Sequence, residues 1–327
     1  MSWFTPHTQD IAYSFLSILF EGIPFLLLGS VISGVVDVFV SPERMSRMLP
    51  GKGTGSIFLS GLLGLIFPMC ECGSVIVIRR FIKKGLPLSA AVTYMLASPI
   101  VSPIVAVSTY AAFRGKDPWV MTVLRLVLGY ALAVGVGLIV GRLRPETILL
   151  PSMLNQNTTR RRAGLSFAAA PVEDVPAGLA GQEFSELAAS SSIPRKLLLA
   201  VQSATADFLD VAFFLIIGAV IASVFNTAVN QQIIEPLATN APLAIVSMMV
   251  LRFLLAICST TDAFIAASFS AFPFASKLAF LVFGPLFDFK LLFLYCVLFK
   301  KKPVLLFGLA IFVIVALICI EISTLHF

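Results

Sequence analysis

The chain has 327 residues, 58% of them hydrophobic and 12% charged, with a mean hydropathy of +0.99, which excludes an ordinary soluble domain and implies a polytopic membrane protein. Its net charge of +6 lies in short Lys/Arg clusters beside apolar runs, the pattern of topology signals and not of nucleic-acid binding. Five cysteines, an odd number set within apolar segments, exclude a secreted disulfide framework.

The N-terminus, MSWFTPHTQDIAYSF, has no Lys or Arg before the first apolar run and no small-residue cleavage pattern, so no signal peptide is expected. The first span is predicted from about Ile11 to Val40, with Glu21, Pro24 and Gly29 inside it. A basic loop with Arg44, Arg47 and Lys52 leads to an apolar arm, Ser56 to Met69, which Cys70, Glu71, Cys72, Gly73 and Ser74 interrupt. Arg79, Arg80, Lys83 and Lys84 follow within about ten residues of the break. A spanning helix needs about 20 apolar residues, whereas Cys72 to Lys83 would rise about 18 Å. The stretch therefore reads as a re-entrant helical hairpin whose tip, near mid-bilayer, faces protein or water. The next helix starts at Pro87, a favourable first-turn residue. It is broken at SPIVSP, with Ser98, Pro99, Ser102 and Pro103, and continues toward Phe113. After Arg114, Lys116 and Asp117 comes a span from about Trp119 to Val140.

From Gly141 to about Lys196 the sequence turns to Ala, Ser, Pro, Arg and Glu without apolar periodicity, a linker. The chain thus divides into a first transmembrane repeat, 1–141, a partly disordered cytoplasmic linker, 142–200, and a second repeat, 201–327. The second half repeats the plan: a span near Asp207 to Val229, an arm from Leu243 to Ile257, the tip CSTTD, a return to Ala271, a broken helix from Pro273 to Phe299, and a last span from Pro303 to about Thr324. An offset of 186 places Cys72 on Cys258, Pro87 on Pro273, Pro99 on Pro285 and Ser102 on Asp288; an offset of 189 places Glu21 on Asp210 and Gly29 on Gly218. The matched residues are helix breakers, a cysteine and intramembrane acids, which indicates an internal duplication.

Three crossings plus one hairpin per half make the halves antiparallel, an inverted repeat, and collect the basic loops at 44–52, 79–84, 142–162 with 195–196, and 300–302 on one side. The positive-inside rule then puts the linker in the cytoplasm and both termini outside, in the plasma (inner) membrane. The alternative reads each tip as a full crossing, giving eight transmembrane helices and placing Arg79 to Lys84 on the opposite side.

PxCxCG followed by GLPLSAAVTYMLASPIVSP, together with the later CSTTDAFIA and GPLFD, resembles the predicted permease family that includes the ArsP-type organoarsenical efflux permeases and the YraQ-type permeases. The resemblance covers both halves. It implies efflux of a thiophilic small solute, such as a trivalent organoarsenical, with Cys70, Cys72 and Cys258 as the positions concerned. Soft sulfur ligands suit thiophilic species, and inverted repeats with broken helices place substrate sites at the midplane. Cys296 and Cys319, alone in apolar helices, read as small buried hydrophobes. The predicted substrate-binding set is Cys70, Cys72, Cys258, Ser98, Ser102 and Asp288. Glu21, Glu71, Asp210 and Asp262 are coupling candidates, because an acid near the bilayer centre is costly and calls for a role or a basic partner such as Arg125, Arg252, Lys277 or Lys290. A membrane-embedded thiol oxidoreductase, or a permease for an unrelated small substrate, remains the alternative; C-x-C at mid-depth suits the enzyme poorly. No catalytic residue, cofactor or metal is expected, and no Walker-type phosphate loop is present. The expected partners are the lipid bilayer, a small-molecule or metalloid substrate and, in a homo-oligomer, a second copy of the chain.

Overall fold

In hydrocarbon every backbone N–H and C=O needs an internal partner, which favours helices throughout a chain this apolar. The computed structural model describes residues 4–39, 53–67, 69–83, 85–115, 117–150, 193–228, 238 and 240–324, and among these it is helical apart from turns, tips and one isolated bridge. The first half contains α1 (Phe4–Phe39), α2 (Thr54–Ile66), α3 (Glu71–Lys83), α4 (Leu88–Ala97), α5 (Pro103–Ala112) and α6 (Pro118–Arg142). A short α7 (Pro145–Ile148) precedes α8 (Ile193–Ala228), α9 (Ala241–Leu255), α10 (Asp262–Ser268), α11 (Phe274–Leu286), α12 (Phe289–Leu298) and α13 (Lys301–Thr324). Among the described residues five stretches are long and apolar enough to cross a membrane: Gln9–Val36, Pro118–Arg142, Lys196–Val224, Phe274–Leu298 and Lys301–Thr324. The protein is a polytopic integral membrane protein.

The element order of the first half recurs in the second. Both α1 and α8 have 36 residues and keep the 189-residue register from first residue to last. In the 186-residue register α4 and α11 start at Leu88 and Phe274 after N-capping prolines, Pro87 and Pro273, and α5 and α12 start after Ser102 and Asp288. The hairpin regions differ. The first return helix, α3, has 13 residues, but α10 has 7 and is preceded by a longer non-helical tip from Ala256 to Thr261. Cys258 accordingly lies in a break, as does Cys70, whereas Cys72 sits in the first turn of α3.

Small residues set the helix directions. Gly34 packs on Ala200 and Ala204, and Gly22 packs on Leu215, so α1 and α8 run antiparallel. Gly61 and Gly64 of α2 face Thr93 and Ser98, so α2 runs alongside α4 in the same direction. The chain reverses after α3 at Gly85, where φ is +92°, and Ser74 Oγ donates to the Met95 carbonyl at 3.4 Å, so α3 runs against α4. The junction of α2 and α3 is thereby level with the break that follows Ala97. Helix α6 packs against α4 as well, with Gly137 and Gly129 meeting Thr93 and Ile100. The same arrangement joins α11 to α13, where Phe283 and Phe287 meet Phe312 and Phe307 edge to face. The equivalent helices α4 and α11 form the centre: Ala90–Ala97 and Ala275–Leu286 are buried all round, as expected of helices without a polar face.

The segment expected as a linker starts in ordered form. Leu150 N donates to the Leu298 carbonyl at 3.1 Å and Lys300 N donates to the Ile148 carbonyl at 2.9 Å, pinning the chain after α7 to the turn before α13. Helix α8 already begins at Ile193, short of the expected boundary at residue 200, because its apolar run extends backward through Leu197–Leu199. Residues 151–192, the bulk of the expected linker, lie outside the described residues.

Candidate functional site

Two tips meet at the centre. At the first, Ser98 Oγ accepts from Met69 N and donates to the Phe67 carbonyl, each at 3.3 Å, so the break after α4 holds the break before α3. Gly73 N donates to Cys70 Sγ at 3.4 Å. A Cβ at Gly29 would come within 3.0 Å of Gly73 Cα, so these two glycines let α1 lie directly on the start of α3. At the second tip, carbonyls left without helical partners are met by cations. Arg252 Nη2 donates to Ile257 O at 2.8 Å, Lys290 Nζ donates to Ala256 O and Ile257 O at 3.2 Å, and Arg125 Nη2 donates to Ser259 O at 3.0 Å.

Three acids stand at helix starts, where the helix dipole favours negative charge: Glu71 on α3, Asp262 on α10 and Asp288 capping α12 by accepting from Leu291 N at 2.8 Å. Each hairpin acid is held by a base from the other half. Glu71 Oε1 lies 2.8 Å from Lys290 Nζ of α12, and both oxygens of Asp262 lie 2.9 Å from Arg125 Nη2 of α6. Arg252 of α9 joins the two pairs, 3.8 Å from Asp262 and 3.6 Å from Asp288, and Asp288 is 3.7 Å from Lys290. The result is an unbroken chain of alternating charge, Glu71, Lys290, Asp288, Arg252, Asp262 and Arg125, with no net charge. Pairing on this scale is what the cost of isolated buried charge demands.

A cavity of about 590 Å³ opens beside the tips. Cys70, Glu71 and Cys72 from the first tip, Cys258 and Thr261 from the second, and Lys290 form its polar wall. Ser14, Ser17 and Gly22 of α1, Leu215 of α8, Leu251 and Leu255 of α9, Phe264 of α10 and Phe269 just after it also line it. Among the described residues no three His, Cys, Asp or Glu side chains are close enough to hold a metal ion; the three thiols line one space without converging on one point.

Comparison with known proteins agrees with this architecture. Residues 7–323 match the model of the ArsP family, described as "Predicted permease". The chain belongs to this predicted permease family. It is similar to "UPF0718 protein YcgR" of Bacillus subtilis (strain 168), 36% identical over 302 residues covering 92% of each chain. It is also similar to a "Putative two-component membrane permease complex subunit" of Streptococcus mutans serotype c, 31% identical over 313 residues covering 95% of this chain and 94% of that one. No solved structure matches.

In this member of the permease family, four of the sequence-predicted site residues line the cavity: Cys70, Cys72, Cys258 and Glu71. Asp262 and Asp288 lie behind them in the charge chain, Ser98 braces the first tip, and Ser102 caps α5 with its side chain making no capping bond. Glu21 and Asp210 fall on α1 and α8, but their side chains lie outside the described residues. Cys319 is buried on α13 and Cys296 half-buried on α12, both away from the cavity. Sequence reasoning named Lys290 merely as one base among several. It missed Thr261 and Ser259, whose Oγ donates to Glu71 Oε2 at 3.3 Å. It also missed a second polar cluster, in which Asp207 of α8 accepts from Arg80 of α3 and from Ser33 of α1. No local signal pairs residues so far apart in the chain.

Proposed function

We propose that this protein is a secondary-type permease that exports a thiophilic small solute, with a trivalent organoarsenical as the leading class, through the cavity between the two tips. The observation that carries this reading is that Cys70, Cys72 and Cys258, from the two halves of the chain, line a single space. The antiparallel packing of α1 on α8, with both in one register, supports an inverted repeat in which the two hairpins enter from opposite faces. The reversal from α2 to α3, level with the break in the α4–α5 span, supports a re-entrant path for the first hairpin. Family membership supports transport over thiol redox chemistry.

The test is flux. Purified protein in liposomes is loaded with trivalent organoarsenicals or arsenite, with and without a pH gradient. Substrate-dependent flux that falls at least tenfold in Cys72→Ser or Cys258→Ser, but not in Cys319→Ser, is the expected result, because serine keeps the volume and loses the soft ligand. Parent-like flux in a variant lacking Cys70, Cys72 and Cys258 overturns the role of the thiols. Quinone-dependent disulfide formation without flux favours the oxidoreductase reading. Flux that appears only with a second subunit favours a two-component assembly, the arrangement named for the S. mutans relative.

A further inference from the structure

Among the described residues, Glu71 and Lys290 are the charged side chains that line the cavity. Cys70, Cys72 and Cys258 line the same cavity. The carboxylate is held at both oxygens, Oε1 by Lys290 at 2.8 Å and Oε2 by Ser259 at 3.3 Å. The surrounding charges leave little slack. Asp288 is shared between Lys290 and Arg252, and Asp262, the other neighbour of Arg252, is bound by Arg125. With three acids matched to three bases, the site is neutral while the thiols stay protonated.

A thiolate formed by loss of its proton to solvent would leave one uncompensated negative charge in a low-dielectric site, which is costly. A thiolate formed by passing its proton to Glu71 leaves the total unchanged. We propose that Glu71 is the proton acceptor for the cavity thiols, and that the Lys290 ammonium, besides the Asp288 carboxylate it shares with Arg252, always keeps one anion on its cavity side, the Glu71 carboxylate when the thiols are intact and a cysteine sulfur when one ionises. This deepens the permease reading, on which it rests for its substrate. In the substrate step the S–H bond breaks and its proton goes to the Glu71 carboxylate. The sulfur lone pair forms a bond to the trivalent arsenic as an As–OH bond breaks, and the departing hydroxide takes the proton from Glu71 and leaves as water. Nothing is oxidised or reduced, and Glu71 ends ionised beside Lys290 as it began.

The consequence runs against the intuition that removing a base quenches a nucleophile. Glu71→Gln strips one negative charge from the site, and a thiolate is then the anion that restores neutrality. Lys290→Met does the reverse. The experiment is alkylation of the full-length protein in lipid nanodiscs by iodoacetamide, read at each cysteine by quantitative mass spectrometry across the neutral pH range, with half-buried Cys296 as internal control. Expected at neutral pH is at least tenfold faster alkylation at Cys72 or Cys258 in Glu71→Gln, slower alkylation in Lys290→Met, and a near-parental rate in the double variant, whose charges again balance. An unchanged or slower rate in Glu71→Gln with Cys296 unaltered overturns the proposal, as does a double variant that matches either single one. Should Glu71→Gln fail to fold, the comparison of Lys290→Met with the double variant decides: slow in the first and restored in the second supports charge balance, and equal rates overturn it. Because no substrate is present, this result is separate from flux. The expected alkylation pattern without arsenical flux overturns the substrate reading alone, and flux with a flat alkylation pattern overturns the role of Glu71 alone.

Discussion

Asp207 of α8 receives two hydrogen bonds from the Arg80 guanidinium of α3, at 2.8 Å from Nε and 3.0 Å from Nη2. Ser33 of α1 adds a third at 2.7 Å, so one carboxylate ties both long helices to the arm that carries the first tip. The side chains of Arg80 and Asp207 are 11% and 5% exposed, which puts the pair in the regime where removing one partner strands a buried charge. Asp207→Asn is expected to lower stability by about 3 kcal/mol, read as a drop in the melting temperature of the detergent-solubilised protein. Arg80→Lys should cost less, since lysine keeps the charge opposite Asp207 but not the two-pronged geometry. A melting temperature unchanged in both variants would show that the cluster contributes nothing to the fold.

The sequence announced the backbone plan because that plan is written in breakers. Pro87 and Pro273, and Ser102 and Asp288, act locally on the residues beside them, and all four cap the helices that their register predicted. Which acid meets which base was not legible. Asp262 was one of five intramembrane acids, and nothing near it in the chain points to Arg125, 137 residues away. Asp207 escaped notice for a related reason: it reads as the polar edge of a span until the longer α8 carries it inside. The second hairpin also departs from the first, because five consecutive polar or small residues, CSTTD, favour turns over a helix start at Cys258.

The Arg125–Asp262 pair should behave as a coupled unit. Both side chains are buried, and Arg125 also donates to Thr109 Oγ1 at 2.7 Å. Asp262→Asn and Arg125→Met are each expected to destabilise by about 3–5 kcal/mol, with the double variant less affected than the two single losses combined. A double-mutant cycle on thermal unfolding reads the coupling directly. Strictly additive losses would mean that the two side chains act independently.

Gly284 of α11 lies under the Arg252 guanidinium, which is itself 5.7 Å from the Phe280 ring centroid. A methyl group at this glycine would collide with Arg252 Nε and push the guanidinium away from Asp262 and Asp288. Gly284→Ala should therefore cost far more than the helix propensity of alanine returns, which is about 1 kcal/mol. The checks are a lower yield of monodisperse protein and a lower melting temperature than in Gly135→Ala, where a Cβ meets nothing within 4 Å. Equal stability of the two variants would place the Arg252 side chain elsewhere.

The path of the first hairpin makes the sharpest demand on topology. Helices α2 and α3 have 13 residues each, a rise of about 20 Å apiece, which is too short to cross a hydrocarbon core of about 30 Å. They reverse at the level of Ser98, and under the proposed re-entrant path both arms would lie on one side of the membrane, with Gly85 at the mouth of the returning arm. The basic residues 79–84 and 300–302 would then share that side, the cytoplasmic one by the positive-inside rule. Under the same proposal Leu243, near the start of α9, would lie outside, with the second hairpin entering from the opposite face. Single cysteines at Lys83, Lys301 and Leu243, on a background with the native cysteines replaced, should react with a membrane-impermeant maleimide from the inside, the inside and the outside, respectively. Labelling of position 83 from outside, with position 301 still protected, would turn the first hairpin into a full crossing and leave the eight-helix arrangement in its place.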